Sequence, residues 1–371
     1  MPLNTFTVHT LSICITLIVL AACGRQAAQG PDETLASTDV VPTAAADTAE
    51  TVSESDTEDL VEATNDMRTI THAMGMTEVS TNPQRVVVLD TGELDNALAL
   101  GITPVGAPLT DVREYQAYLS SDFEGITDIG TISEPDLETI LELQPDLILG
   151  SQQRYEEMYD LLSKIAPTVF TESLRVPWQE TFAVHAEALG KTDEAQQILA
   201  DYKERIAEFQ QMMGDQLGDR TVSVVRFRPD QVRIYLKSSF SGYILQDAGL
   251  TRPSTQDIDE FATEISLEQI ADLDADVIFF TSQSPEENDL AIFRDSPLWQ
   301  TLVAVQQEQV YEVDDNYWMS GLGVQAANRI LDDLFVYFGD GQEATETSRY
   351  ANTDPTVVTL NMLLSSSFFR G

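Results

Sequence analysis

The chain has 371 residues, with 62 acidic side chains against 20 basic ones and a formal charge of −42. Such a strongly negative field argues against nucleic acid and anionic lipid as partners and favours solubility. With 2 cysteines and 3 histidines, a disulfide framework and the thiolate or histidine clusters that hold bare zinc or manganese are excluded.

Residues 11–22 form an apolar segment of signal-peptide length, too short to span a bilayer comfortably, ending in Leu20-Ala21-Ala22-Cys23-Gly24. Small residues before Cys23 resemble the bacterial lipoprotein signal, in which residues 1–22 are removed and the Cys receives lipid. The alternative is an ordinary secretory signal with an incidental Cys. One departure stands, since no Lys or Arg precedes Leu11. Loss of Cys14 and lipidation of Cys23 would leave a mature body without a free thiol. Residues 23–67 are rich in Ala, Thr, Ser, Asp and Glu and contain no aromatic residue. Such a segment cannot repay its ordering entropy and reads as an acidic, disordered tether to a membrane.

A first lobe is expected over 68–177. A hairpin around Gly75 precedes a buried strand at 83–89, and residues 91–93 follow its carboxyl end. Loops at the carboxyl ends of parallel strands are where open α/β sheets bind ligands, which nominates residues 91–93, with Thr91 foremost, and residues 109–113, 130–132 and 151–155. Residues 134–151 then combine a capping Asp136, a short amphipathic helix and the apolar run Leu147-Ile-Leu149.

The same unit returns at 264–281, with Ser266 as the cap and Val277-Ile-Phe-Phe280 as the run. Each copy places one acid, Glu138 or Glu268, at the second helical position. Between the copies, apolar positions from Ala195 to Met213 recur at helical spacing for over twenty residues. The expected fold is α/β, two Rossmann-like lobes joined by one long helix, with a ligand cleft between them. The interlobe helical region is placed at 178–216, the second lobe at 217–338, and an extension of unassigned role at 339–371.

Arg85-Val-Val-Val-Leu89, Gly130–Glu138, Leu143-Gln-Pro-Asp-Leu-Ile148, Ile165-Ala-Pro-Thr-Val169, Ala188-Leu-Gly190 and Pro297-Leu-Trp299 carry, in their order, a resemblance to a known family. Over about 68–338 the chain resembles the tethered substrate-binding proteins of ABC importers for ferric siderophores, haem and vitamin B12. Ile165–Thr168 and Val224–Pro229 look most like the members that carry hydroxamate or citrate-hydroxamate chelates. The resemblance implies a monomeric, non-enzymatic receptor outside the cytoplasm. It would bind a ferric siderophore, need no resident cofactor or metal, and dock on an ABC permease with its ATPase. Haem or cobalamin in the same architecture is the alternative. The resemblance also assigns Glu138 and Glu268 to permease docking, where charge pairs give registry more than affinity. First-turn acids stabilised by the helix dipole are the plainer account of both residues.

Arg226 and Arg228 alternate on one strand and so share a face. In so acidic a chain an anionic chelate needs locally placed guanidinium groups, whose fork fits carboxylate and hydroxamate oxygens. Arg154, after the first copied strand, would reach the ligand from the other lobe. Each Arg is equally readable as half of a surface ion pair. Trp318 and Tyr317, before the last helix, together with Trp178 and Tyr243, are candidates for the aromatic walls of a bulky ligand, with core packing as the alternative. No phosphate loop, nucleophile elbow or metal-ligand motif is present, and an enzymatic triad would require His72 or His185 in the cleft.

Overall fold

A computed structural model describes residues 66–109, 118–119, 123–172, 176–229, 231–283 and 290–339. The signal segment, Cys23, nearly all of the tether, the candidate loop residues 110–113 and the extension beyond 339 lie outside the described residues.

A hairpin of β1 (Met67–His72) and β2 (Gly75–Ser80) precedes the first lobe. That lobe comprises β3 (Val86–Val88), α1 (Thr91–Ala99), β4 (Gly106–Ala107), β5 (Thr127–Asp128), α2 (Leu137–Glu142), β6 (Leu147–Ser151) and β7 (Thr168–Thr171). Helices α3 (Trp178–Leu189) and α4 (Thr192–Met213) follow. The second lobe contains β8 (Val222–Arg228), β9 (Gln231–Tyr235), α5 (Phe240–Asp247), β10 (Ala262–Ile265), a 3-10 helix (Leu267–Leu273), β11 (Val277–Ser282), β12 (Val310–Glu312) and α6 (Val324–Phe338).

The internal repeat extends to strand order. The first sheet runs β5-β4-β3-β6-β7 and the second β10-β9-β8-β11-β12. Each lobe thus reads third, second, first, fourth, fifth, the Rossmann order, with its switch point between first and fourth strands. Repetition is incomplete in two places. All pairs in the first sheet are parallel, whereas β9 is antiparallel to β8 and to β10. Too few residues separate Arg228 from Gln231 for a helical crossover, so the chain turns straight back. The second copied helix is also tightened into the 3-10 form, closed by a Ser266–Gln269 capping box, while the first is an α-helix capped by Asp136.

Strand periodicity divides the core. Val86 and Val88 pack with Val222, Val224, Val277 and Phe279 in one cluster that also takes in α1, α3, α4 and α6. Val87, Ile148 and Phe170 face the opposite side of the first sheet, and Val225, Phe227, Ile278 and Phe280 do so in the second. Successive side chains on both faces of a buried strand require the continuous apolar runs seen in the sequence.

Helix α4, 22 residues long, would span about 33 Å. Its Tyr202 and Gln210 bond Asp247 of α5, while Arg205 bonds Asn328 and Asp332 of α6. A second joint lies opposite. The hydroxyl of Thr91 donates to the Ser320 carbonyl at 2.7 Å, and Asn96 Oδ1 accepts from the Val324 N–H at 3.1 Å. Asp95 accepts from the N–H groups of Gln325 and Ala326 at 2.8 and 3.0 Å, satisfying free donors at the start of α6.

Candidate functional site

Both switch points open at the carboxyl ends of β3 and β6 in one lobe and of β8 and β11 in the other. Between the lobes lies a concavity bordered by Asp90, Glu93 and Ser151 of the first lobe, Trp178 and His185 of α3, and Phe240 of the second lobe. The fold therefore puts a mostly apolar concavity with a few polar side chains where open α/β sheets take ligands.

Three arginines lie at or just beyond the carboxyl ends of β8 and β6. Arg226 and Arg228 continue the face begun by Val222 and Val224, and so project past the sheet on the core side of β8. Arg226 is held in a two-pronged pair by Asp315, with Nε and Nη2 at 2.7 and 2.5 Å. Thr281, at the end of β11, donates to the same carboxylate at 2.8 Å. Arg228 is half-buried, and its Nε has no hydrogen-bond partner among the described residues. From the first lobe, the largely exposed Arg154 reaches the buried Asp90 at 2.5 Å. Guanidinium groups are therefore present on both sides, one of them with a buried donor unmet.

The floor of the concavity differs in character. His185 is fully buried and its pKa is lowered to about 4 by that burial, so the ring is neutral at pH 7. Glu93 is 4 % exposed, and its carboxyl is raised to about 8, first by burial and then by the charge of Asp90. His185 Nε2 and Glu93 Oε1 are 4.0 Å apart, but two neutral groups at that distance form no ion pair. The indole of Trp178 is buried edge-on against Tyr202, whose hydroxyl its N–H approaches.

Several sequence-based expectations need correction. Trp318 is not a cleft wall. It is fully buried, its Nε1 donates to Asp333 at 2.8 Å and its ring packs on Phe279. Tyr317 is half-buried and gives its hydroxyl to the same Asp333 at 2.9 Å, with its ring edge on Tyr118. Thr91 is buried and joins the lobes through Ser320, which commits its hydroxyl to the seam. Tyr243 is half-buried on α5 and packs against the shared core. Arg226 is already neutralised by Asp315. Trp178 does border the concavity, although its ring is also buried edge-on against Tyr202.

Glu138 and Glu268 are both exposed. Each stands near the carboxyl end of its lobe's third strand, since the 3-10 helix follows β10 after Ser266 alone and, although eight residues separate β5 from α2, the Asp136 N–H returns to the Ile129 carbonyl at 2.7 Å. The two acids consequently lie on the cleft side of their sheets in equivalent positions. Glu93 falls within the nominated loop 91–93, while His185 was weighed from the sequence only as a conditional triad member and not as a ligand-binding residue. The available signal was a histidine within the apolar stripe Phe182, Ala186 and Leu189 of α3.

Residues 86–317 match the periplasmic binding protein family model, and the chain belongs to that family. It is 40% identical over 290 residues to a probable siderophore-binding lipoprotein of Bacillus subtilis, covering 73% of this chain and 87% of the relative. A Fe(3+)-citrate-binding protein of the same organism is 34% identical over 273 residues, covering 72% and 85%. Among solved structures, Staphylococcus aureus SirA complexed with staphyloferrin B superposes with a TM-score of 0.67 at 34% identity, covering 73% of this chain and 98% of that one.

Proposed function

We propose that this chain captures a ferric siderophore of the hydroxamate or citrate-hydroxamate class outside the cytoplasm and delivers it to an ABC permease and its ATPase. The observation that carries the reading is the guanidinium of Arg228, half-buried at the carboxyl end of β8 with no partner for its Nε among the described residues, in a chain of charge −42 that sets the already paired Arg154 on the other lobe. Such groups offset the global repulsion of an anionic chelate at the one place where it must bind. The chelator itself fills the coordination sphere of the iron, so the chain contributes no metal ligand and performs no chemistry. Relatives named for ferric citrate and for siderophores support the substrate class.

The tether and Cys23 hold the body to a membrane as a monomer, and Glu138 and Glu268 orient it on the permease. Affinity is tested by quenching of intrinsic tryptophan fluorescence, for which Trp178 at the concavity is the reporter. Saturable submicromolar quenching by a ferric hydroxamate or citrate-hydroxamate is the expected result. Quenching by haem or cobalamin alone would replace the ligand while keeping the architecture, and no response to any of them would remove the transport reading.

A further inference from the structure

The face of the second sheet that carries Arg226 also carries a row of charge. β8 and β9 pair with Arg226 directly opposite Arg233, and β9 and β10 pair with Arg233 directly opposite Glu264. Residues paired directly across neighbouring strands share a face, so the three side chains stand side by side on one side of the sheet. Two residues along each strand, Val224, Tyr235 and Ala262 belong to or pack against the core shared by the lobes. The charged row is the next one outward, near the carboxyl ends of β8 and β10, which is the end where such a sheet takes ligands.

Like charges directly opposite one another destabilise a sheet, and Arg226 facing Arg233 is such a pair. Each guanidinium is offset by an acid. Asp315 grips Arg226 with two prongs and accepts from Thr281 as well, and the two charged side chains are only 13% and 22% exposed. Glu264 meets Arg233 through one contact, Nη2 to Oε1 at 3.1 Å, and accepts also from the Gln231 amide. Its side chain is 61% exposed, and a single-pronged pair in water holds weakly. The first pair is therefore fixed and the second exchangeable.

We infer that Glu264 is a built-in counter-ion of Arg233 which an anionic oxygen of the chelate displaces, so that Arg233 joins Arg226 and Arg228 as a ligand-binding residue and Glu264 sets the selectivity of the site for charge. The inference rests on the transport reading above. Without ligand, the Glu264 carboxylate occupies the guanidinium that a carboxylate or hydroxamate oxygen would take. A negatively charged chelate offers Arg233 an equivalent partner and relieves its repulsion with Arg226, while the released Glu264, already exposed, is solvated by water. An uncharged chelate offers no replacement and leaves the pair closed. Glu264 thus competes with every ligand that reaches for Arg233, and weakly charged ligands compete least well.

The consequence has an uncommon sign, since removing an acid should tighten binding selectively. Two probes are titrated calorimetrically into the full-length chain: the ferric complex of a citrate bearing two amide-linked hydroxamate arms, which is anionic, and an uncharged ferric trihydroxamate. Glu264→Gln keeps a hydrogen-bond acceptor for Gln231 at an exposed position, so the fold tolerates it. The preference for the anionic over the uncharged chelate should rise about two- to fivefold, the range that loss of a competing surface ion pair allows. Arg233→Gln alone should weaken the anionic chelate. In that background Glu264→Gln should add no preference, which separates displacement from a general gain in positive potential. An unchanged preference in Glu264→Gln, or a gain that persists without Arg233, would overturn the counter-ion role and spare the transport reading, and binding of the uncharged chelate alone would do the same. Binding of neither probe would overturn both.

Discussion

Gly323 lies so close to Asp95 that a Cβ at this position would overlap the aspartate carboxyl group. Its backbone φ of −116° is open to any residue, so the requirement for glycine is purely one of approach. The approach lets an acid of the first lobe cap a helix of the second. Gly323→Ala should push the lobes apart at this seam and lower stability by about 1–3 kcal/mol, in the range of overpacked cores and lost caps. Chemical denaturation measures it, and an unchanged midpoint would show that the seam yields freely.

Stability should fall as the solution becomes alkaline. Burial first, then Asp90, holds Glu93 up at about 8, and burial holds Asp95 at about 7. Both titrate near 4 when unfolded, so the native state keeps protons that the unfolded chain releases. Stability from these groups is complete below about pH 4 and is lost as the pH rises through 7 and 8. His185 has the opposite sign. Lowered to about 4, it adds stability between about pH 4 and 6.5 and is neutral in both states above that. From pH 6.5 to 8.5 the melting temperature should therefore decline, and Glu93→Gln should flatten the slope. An identical slope in the variant would show Glu93 ionised in the native protein.

The two arginines of β8 should separate in their effects. Arg228→Ala removes a cation whose Nε has no partner and should weaken an anionic chelate by about 1–3 kcal/mol with little change in stability. Arg226→Ala strands Asp315 and should lower stability as well as affinity. Titration calorimetry and melting curves on both variants make the comparison, and equal stability losses would contradict the difference in pairing.

Trp318→Phe deletes the donor to Asp333 but leaves the hydroxyl of Tyr317 in place. Stability should drop by about 1–3 kcal/mol while ligand affinity stays constant. A selective loss of affinity would return Trp318 to the wall of the cleft.

Reversing both Glu138 and Glu268 to Lys should leave binding to the soluble body intact and stop uptake of radiolabelled iron chelate in cells. Both side chains are exposed, so the fold tolerates the change. Undiminished uptake would confine them to helix capping.

Much of the architecture was legible because burial on both faces of a strand writes an unbroken apolar run, as in Val86–Val88 and Val277–Phe280. The shared face of Arg226 and Arg228 was legible for the same geometric reason. Loop residues have no such period. Nothing local told Trp318 to turn inward or Thr91 to spend its hydroxyl on Ser320, since each is decided by a partner distant in sequence. His185 entered the sequence reading only as a conditional triad member because its neighbours on α3 read as ordinary core, and its surroundings depend on Asn96, whose orientation is set in turn by Val324.

That dependence reaches into how the protein is made. Asp95 and Asn96 are fully buried, yet their partners at Val324, Gln325 and Ala326 are among the last described residues of the chain. A fragment ending after the first sheet would possess all five of its strands and still expose uncapped polar groups along α1. Long-range closure of this kind is slow to form and cooperative once formed. The lobes are thus halves of one folding unit, with native α1 completed only on arrival of α6, and neither lobe is suited to expression as a separate ligand-binding module.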